Sequence, residues 1–106
     1  MGEIKVRELY DIGPKGGPGG RIKSINGLAE FRVPDGINRR EGTISEIKNV
    51  GKQDWTDQLD DYAAYAQQEG LKFNLYLREG AEVLPSLQDA VDKSEGVLKI
   101  IRVAMD

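Results

Sequence analysis

Three residues near the middle of the chain combine types and spacing that could do chemistry: Asp35, Glu46 and Lys48. Ten residues separate Asp35 from Glu46, and Glu46 and Lys48 are two apart. In a strand, that last spacing puts both side chains on one face, and Asp35 can approach from the end of an adjacent strand. Two converging carboxylates offer hard oxygen ligands to Mg²⁺, which keeps several of its waters when bound this way. Such an ion polarises a phosphate oxygen and lowers the pKa of a bound water. A neighbouring ammonium can orient that water or stabilise charge building on the phosphoryl oxygens. These groups suffice for phosphodiester hydrolysis without histidine. The chain contains no histidine and no cysteine, which excludes Ser-His-Asp hydrolysis, His- or thiolate-ligated zinc, disulfides and cysteine nucleophiles.

The elements that must position these groups can be read from periodicity. Leu28 to Val33 reads as a strand stopped by Pro34-Asp35-Gly36, and Gly36 to Glu41 as a polar turn. Thr43 to Val50 alternates as a second strand, with Ser45 outward, so the two would pair as an antiparallel hairpin. A helix follows, with Asp54 as its expected N-cap and Gly70 as its stop. Trp55, Leu59, Tyr62, Ala63 and Ala66 form one apolar stripe along it. Leu71 to Arg78 alternates as a strand, Pro85 to Ser94 reads as a shorter helix, and Val97 to Val103 closes as a strand. The core order β-β-α-β-α-β predicts an α/β fold, a mixed sheet with parallel crossovers sandwiched by helices. Upstream, Gly2 to Tyr10 reads as a short strand or irregular arm. Gly13 to Gly20, five glycines and two prolines in eight residues, reads as a flexible connector.

The 106 residues fit a single domain, with an arm and loop over 1–20 and a catalytic core over 28–103. No stretch approaches the apolar length of a membrane span. No basic-then-apolar leader is visible, and the glycine-dense start hints at an excised domain. The net charge of −3 is uneven: residues 1–50 carry nine Lys/Arg and seven Asp/Glu, residues 51–106 six and eleven. A local basic face is therefore compatible with an acidic chain. Asp60-Asp61 and the acidic second half read as a solvated face.

Pro34-Asp35, ten residues, then Glu46-Ile47-Lys48 resembles the PD-(D/E)xK signature of restriction-endonuclease-like nucleases. Gln58-Leu59-Asp60-Asp61-Tyr62 resembles the Gln-x-x-x-Tyr motif of exonuclease-like branches. Within that superfamily the chain is similar, over roughly Leu28 to Val103, to the C-terminal nuclease toxin domains of bacterial polymorphic and contact-dependent inhibition toxins. The resemblance implies that Asp35, Glu46 and the Ile47 carbonyl ligate Mg²⁺ or Mn²⁺, that Lys48 is the catalytic lysine, and that Gln58 contacts the site or the scissile phosphate. Some members add an upstream glutamate from an N-terminal helix. Glu3, Glu8 and Glu30 are the candidates here, with Glu8 preferred. Arg39 and Arg40, in the turn expected to overhang Asp35, and Tyr62 are candidate substrate contacts, although Tyr62 also falls on the core stripe.

A lone Glu-x-Lys is a cheap pattern, since Glu3-Ile4-Lys5 is a second copy in this chain. The upstream Asp35 and the helix with Gln58 and Tyr62 set the Glu46 copy apart. The resemblance therefore implies a metal-dependent nuclease toxin. DNA is the first expected substrate and tRNA the rival, with endonucleolytic cleavage ahead of exonucleolytic. It further implies delivery within a larger toxin, action in the target-cell cytoplasm and a cognate immunity protein. The contrasting reading is a non-enzymatic acidic module, an immunity or inhibitor protein, for which Asp35, Glu46 and Lys48 are ordinary surface charges.

Overall fold

A computed structural model describes residues 2–105. Its framework is a four-stranded mixed sheet built from β3 (Gly36–Asn38), β4 (Thr43–Lys48), β6 (Lys72–Arg78) and β8 (Leu98–Val103), in that spatial order. β3 and β4 pair antiparallel, whereas β4, β6 and β8 run parallel. The parallel links are made by α2 (Asp57–Glu69) and α3 (Pro85–Lys93), as the βα alternation requires. β1 (Ile22–Lys23) pairs with β2 (Phe31–Arg32), and β5 (Lys52–Gln53) with β7 (Glu82–Val83), as two small accessory ladders. The remaining helix, α1, spans Gly2–Leu9.

Alternation along the strands divides the apolar side chains between two faces. Ile44, Phe73, Leu75, Leu77 and Leu98 meet Leu59, Tyr62 and Ala66 of α2 and Leu87 of α3. Tyr76 and Val103 meet Val6 of α1, Ile12 and Met105 on the other face. Each fully buried side chain of this kind contributes on the order of 1.5–3 kcal/mol. Helices cover both faces, so the mixed sheet is sandwiched as the α/β element order requires.

Several local expectations change. Gly2 to Leu9 is a helix: Val6 is fully buried against the sheet while Ile4 stays exposed, and Glu3 pairs with Arg7 one turn away. The strand expected over Leu28–Val33 shrinks to β2, and Leu28, Phe31 and Val33 remain exposed because the sheet does not receive them. The partner of β4 is Gly36–Asn38, which the sequence presents as a turn, so Asp35 precedes its strand instead of ending one. Ser45 is buried on the α1 side of β4, not outward. Thr56 replaces Asp54 as the N-cap of α2, its hydroxyl accepting from the Leu59 N–H at 3.2 Å. Gly70 does end the helix, in the left-handed region at φ 70°.

The Gly13–Gly20 stretch is a built loop and not a slack connector. The Gly16 N–H donates to the Pro34 carbonyl at 2.7 Å, and the Ile37 N–H to the Pro14 carbonyl at 3.2 Å. Gly13 has φ +84°, and a Cβ there would lie 2.0 Å from the Ile37 carbonyl oxygen. Glycine is therefore required for the loop to lie against β3.

Candidate active site

The end of β4 and the start of β3 bring Asp35, Glu46 and Lys48 together, and α2 adds Gln58. The Ile47 N–H donates to Asp35 Oδ2 at 2.8 Å. The Asp35 N–H donates in return to Glu46 Oε1 at 3.2 Å. The other Glu46 oxygen lies 3.3 Å from Lys48 Nζ, and that ammonium donates to Gln58 Oε1 at 2.8 Å. Each carboxylate thus has one oxygen fixed by backbone and the other facing a lysine. Lys15 Nζ lies 3.7 Å from Asp35 Oδ1.

Glu46 lies on the α2 face of β4 and is only 5% exposed. Burial, reinforced by the nearby charge of Asp35, pushes its pKa from the usual 4.5 up to about 7, with Lys48 opposing the shift. Tyr62 packs its ring edge-on to Phe73, with centroids 5.9 Å apart, in the core. Its buried hydroxyl makes no hydrogen bond of good geometry among the described residues. Burial, with the charges of Glu46 and Asp35 adding to it, raises the pKa of that phenol. Tyr62 is therefore a core residue whose polar end faces the carboxylates.

A hard divalent cation fits this donor set. Among the described residues no three His, Cys, Asp or Glu side chains converge as a ready-made metal cage. A Mg²⁺ that retains its waters needs only one or two carboxylates, however. The Asp35–Glu46 pair supplies those, and the Lys15 ammonium beside Asp35 already stands where a cation is favoured. Ile47 sends its N–H toward Asp35, and within a strand the carbonyl of the same residue opens to the same edge.

The upstream acid nearest this cluster is Glu3, not the preferred Glu8. Glu3 Oε1 lies 3.8 Å from Lys15 Nζ, the same ammonium that faces Asp35. Glu8 sits on another side of α1, exposed, along a concavity of about 670 Å³ shared with Tyr10 and Asp11. Glu30 is also exposed, near the end of the β1–β2 connection. Arg39 and Arg40 do not overhang the site. They occupy the opposite end of the β3–β4 hairpin, roughly 10 Å along the strand from Glu46. There Arg39 donates to Tyr65 and Glu69, and Arg40 pairs with Asp11.

Sequence reasoning missed two positioning residues. Arg7 donates to the carbonyls of Gly13 and Asp35 and ties α1 to the site. Its one sequence signal is the four-residue spacing from Glu3. Asp61, expected on a solvated face, is fully buried. It accepts from Ser24 Oγ, the Ile25 and Asn26 N–H groups and Arg32 Nε, which pins the β1–β2 segment to α2.

No curated protein and no solved structure matches the chain. Residues 3–87 match the family described as Restriction endonuclease fold toxin 7. That span includes Asp35, Glu46, Lys48, Gln58 and most of the sheet. With four-fifths of its length matched and the mixed α/β sheet in place, the chain belongs to the restriction-endonuclease-fold toxins, as a toxin nuclease domain.

Proposed function

We propose that this domain is a Mg²⁺-dependent endonuclease of the PD-(D/E)xK type that cleaves DNA, with Asp35, Glu46, Lys48 and Gln58 as its catalytic set. The observation that carries this reading is the continuous run of contacts from Asp35 through Glu46 and Lys48 to Gln58, in which Glu46 is buried beside a second carboxylate. A surface ion pair has no need to bury a carboxylate next to another acid. A cation site does, because the repulsion is relieved when the ion arrives.

Asp35 and Glu46 would hold the cation together with the Ile47 carbonyl, and Glu3, which shares Lys15 with Asp35, is the upstream acid placed to join them. When bound, the ion supplies polarisation of the phosphoryl oxygen and acidification of a coordinated water. Lys48, oriented by Gln58 at 2.8 Å, presents its ammonium to the attacking water and to the charge developing on the phosphoryl oxygens. The water oxygen bonds to phosphorus as the water gives up a proton to solvent, the P–O ester bond breaks, and the departing alkoxide takes up a proton from solvent. Tyr62 presents its buried hydroxyl toward the two carboxylates.

The toxin family assignment supports delivery as part of a larger protein, action on nucleic acid in the target-cell cytoplasm, and a cognate immunity protein that covers the site. No helix among the described residues is long and apolar enough to cross a membrane. Incubation of the domain with plasmid DNA and with total tRNA, in Mg²⁺ or EDTA and beside a Lys48→Ala control, tests the reading. Metal-dependent nicking of the plasmid that the control lacks is the expected result. Consumption of tRNA instead would transfer the same chemistry to an RNA substrate. A folded protein that cleaves neither would be the non-enzymatic acidic module.

A further inference from the structure

We propose that Lys15 is an exchangeable internal counter-ion of Asp35, held beside the Asp35–Glu46 cation site and displaced when metal binds. The proposal rests on the metal-nuclease reading above.

The two lysines of the site are held very differently. Lys48 is about a quarter exposed and hydrogen-bonded to Gln58 at 2.8 Å, so it is fixed. The Lys15 side chain is 58% exposed and faces Asp35 Oδ1 at 3.7 Å and Glu3 Oε1 at 3.8 Å. Those separations are ionic contacts beyond hydrogen-bond reach. A cation held only by charge yields to a stronger one.

Its backbone, by contrast, has little freedom. Lys15 lies between Pro14, whose carbonyl accepts from Ile37 and Gly17, and Gly16, which donates to Pro34. The two long-range anchors flank Asp35 in sequence. They keep the ammonium within a side chain's length of the carboxylate, so it competes at a high effective concentration.

The other charges facing the position are Arg7, paired with Glu3 at 3.2 Å, and Glu46 with Lys48 across the pair. Arg7 neutralises Glu3 whether or not Lys15 is present, while Asp35 Oδ1 has Lys15 as its ion-pair partner among the described residues. Metal entry therefore costs the Lys15–Asp35 contact and leaves the Lys48 side intact. The consequence is a site that stays charge-balanced without metal and that responds only above a raised metal concentration.

Calorimetric titration of the intact domain with Mn²⁺ in low salt, without nucleic acid, tests this. Lys15→Met should bind Mn²⁺ about three- to tenfold more tightly than wild type, the size expected for removing one competing charge at this separation in a wet site. Lys15→Arg should stay near wild type. Lys93→Met, which removes an exposed charge on α3, should also leave affinity unchanged. Because Lys15 is exposed, the circular dichroism and melting curve of each variant should show the fold intact. Equal or weaker Mn²⁺ binding by Lys15→Met, with wild type binding well, would overturn the counter-ion role alone. No Mn²⁺ binding by any form, wild type included, would overturn the metal-nuclease reading and this proposal with it.

Discussion

Asp35 and Glu46 hold each other through the backbone of the hairpin. The Ile47 N–H fixes Asp35 at 2.8 Å, and the Asp35 N–H fixes Glu46 at 3.2 Å. The pair is positioned by main-chain hydrogen bonds that survive a change of side-chain charge. Asp35→Asn keeps an acceptor for Ile47 and removes the negative charge that helps push the Glu46 pKa up. Its melting temperature should equal or exceed that of wild type, while metal-dependent cleavage should fall by about 10²-fold or more. A melting curve beside a plasmid-nicking assay reads both. Loss of stability together with activity would make Asp35 a structural residue.

Glu46 makes stability depend on pH in the direction opposite to most carboxylates. Its folded pKa, about 7, lies above the usual 4.5. Between those values the folded state binds more protons than the unfolded state, so stability is full below about 4.5 and declines as pH rises through 7. Glu46→Gln removes the ionisation. The variant should melt higher than wild type near pH 8, and the gap should close toward pH 5. A kcal/mol gained corresponds to about 4–8 °C in a domain of this size. Mn²⁺ affinity should run the other way, strengthening in wild type as pH rises through 7 because the ligand must lose its proton. Melting curves with and without Mn²⁺ across this range would show two opposing slopes, and parallel slopes would remove Glu46 from the metal site.

Where period and spacing were strong, the sequence located the elements. β4, β6, α3 and β8 lie where alternation and apolar stripes place them, because a buried strand face and a helix stripe leave long regular patterns. The grouping of Glu46, Lys48 and Gln58 was legible for the same reason, since they lie at the end of β4 and the start of α2, whereas Asp35 was reached by its spacing alone, the strand expected to end at it having shrunk to β2. What failed was set by tertiary contact. Gly36-Ile37-Asn38 carries no strand signal of its own and becomes β3 by pairing with Ser45, Ile44 and Thr43. Gly13, Gly16 and Gly17 look slack in composition, yet each packs tightly enough that a Cβ would collide. Asp61 looks like one more surface acid until its four donors are in place.

Gln58 and Lys48 should separate orientation from charge. Gln58→Ala leaves the Lys48 ammonium in place beside Glu46 but frees its end. Cleavage at saturating substrate should drop by about tenfold with little change in the substrate concentration needed, whereas Lys48→Ala should cost about 10²–10³-fold. Single-turnover kinetics on a labelled duplex measure the two. Equal losses in both variants would mean that Gln58 contacts the phosphate itself.

The Gly-rich loop should show a graded cost of adding one methyl group. At Gly13 a Cβ meets the Ile37 carbonyl at 2.0 Å, and at Gly36 it meets the Ile12 carbonyl at 2.3 Å, while at Gly20 nothing lies within 4 Å. Gly20→Ala bears only the strain of its φ of +80°, about 1–2 kcal/mol. Gly13→Ala adds a backbone collision to a similar φ and should cost clearly more, by urea denaturation, or fail to fold. Equal costs at the two positions would mean that the loop does not pack on β3 in solution.

Asp61 should control the acid side of stability, opposite in sign to Glu46. Burial alone would raise its pKa, but the Ser24 hydroxyl, the Arg32 guanidinium and the Asn26 and Ile25 N–H groups more than offset that and hold it below 3.8. The stabilisation is therefore present above that value and is lost as pH falls through the depressed folded pKa. Asp61→Ala leaves Arg32 and two backbone donors without their acceptor. Removing one partner of a buried pair of this kind typically costs about 3–5 kcal/mol. The damage should be local in character, with amide hydrogen exchange at Ile25 and Asn26 accelerating more than at Phe73 or Leu75, because Asp61 is what fastens the β1–β2 segment to α2. Uniform acceleration across the sheet would instead make Asp61 a global core residue, whose loss loosens the whole sheet and not one appended segment.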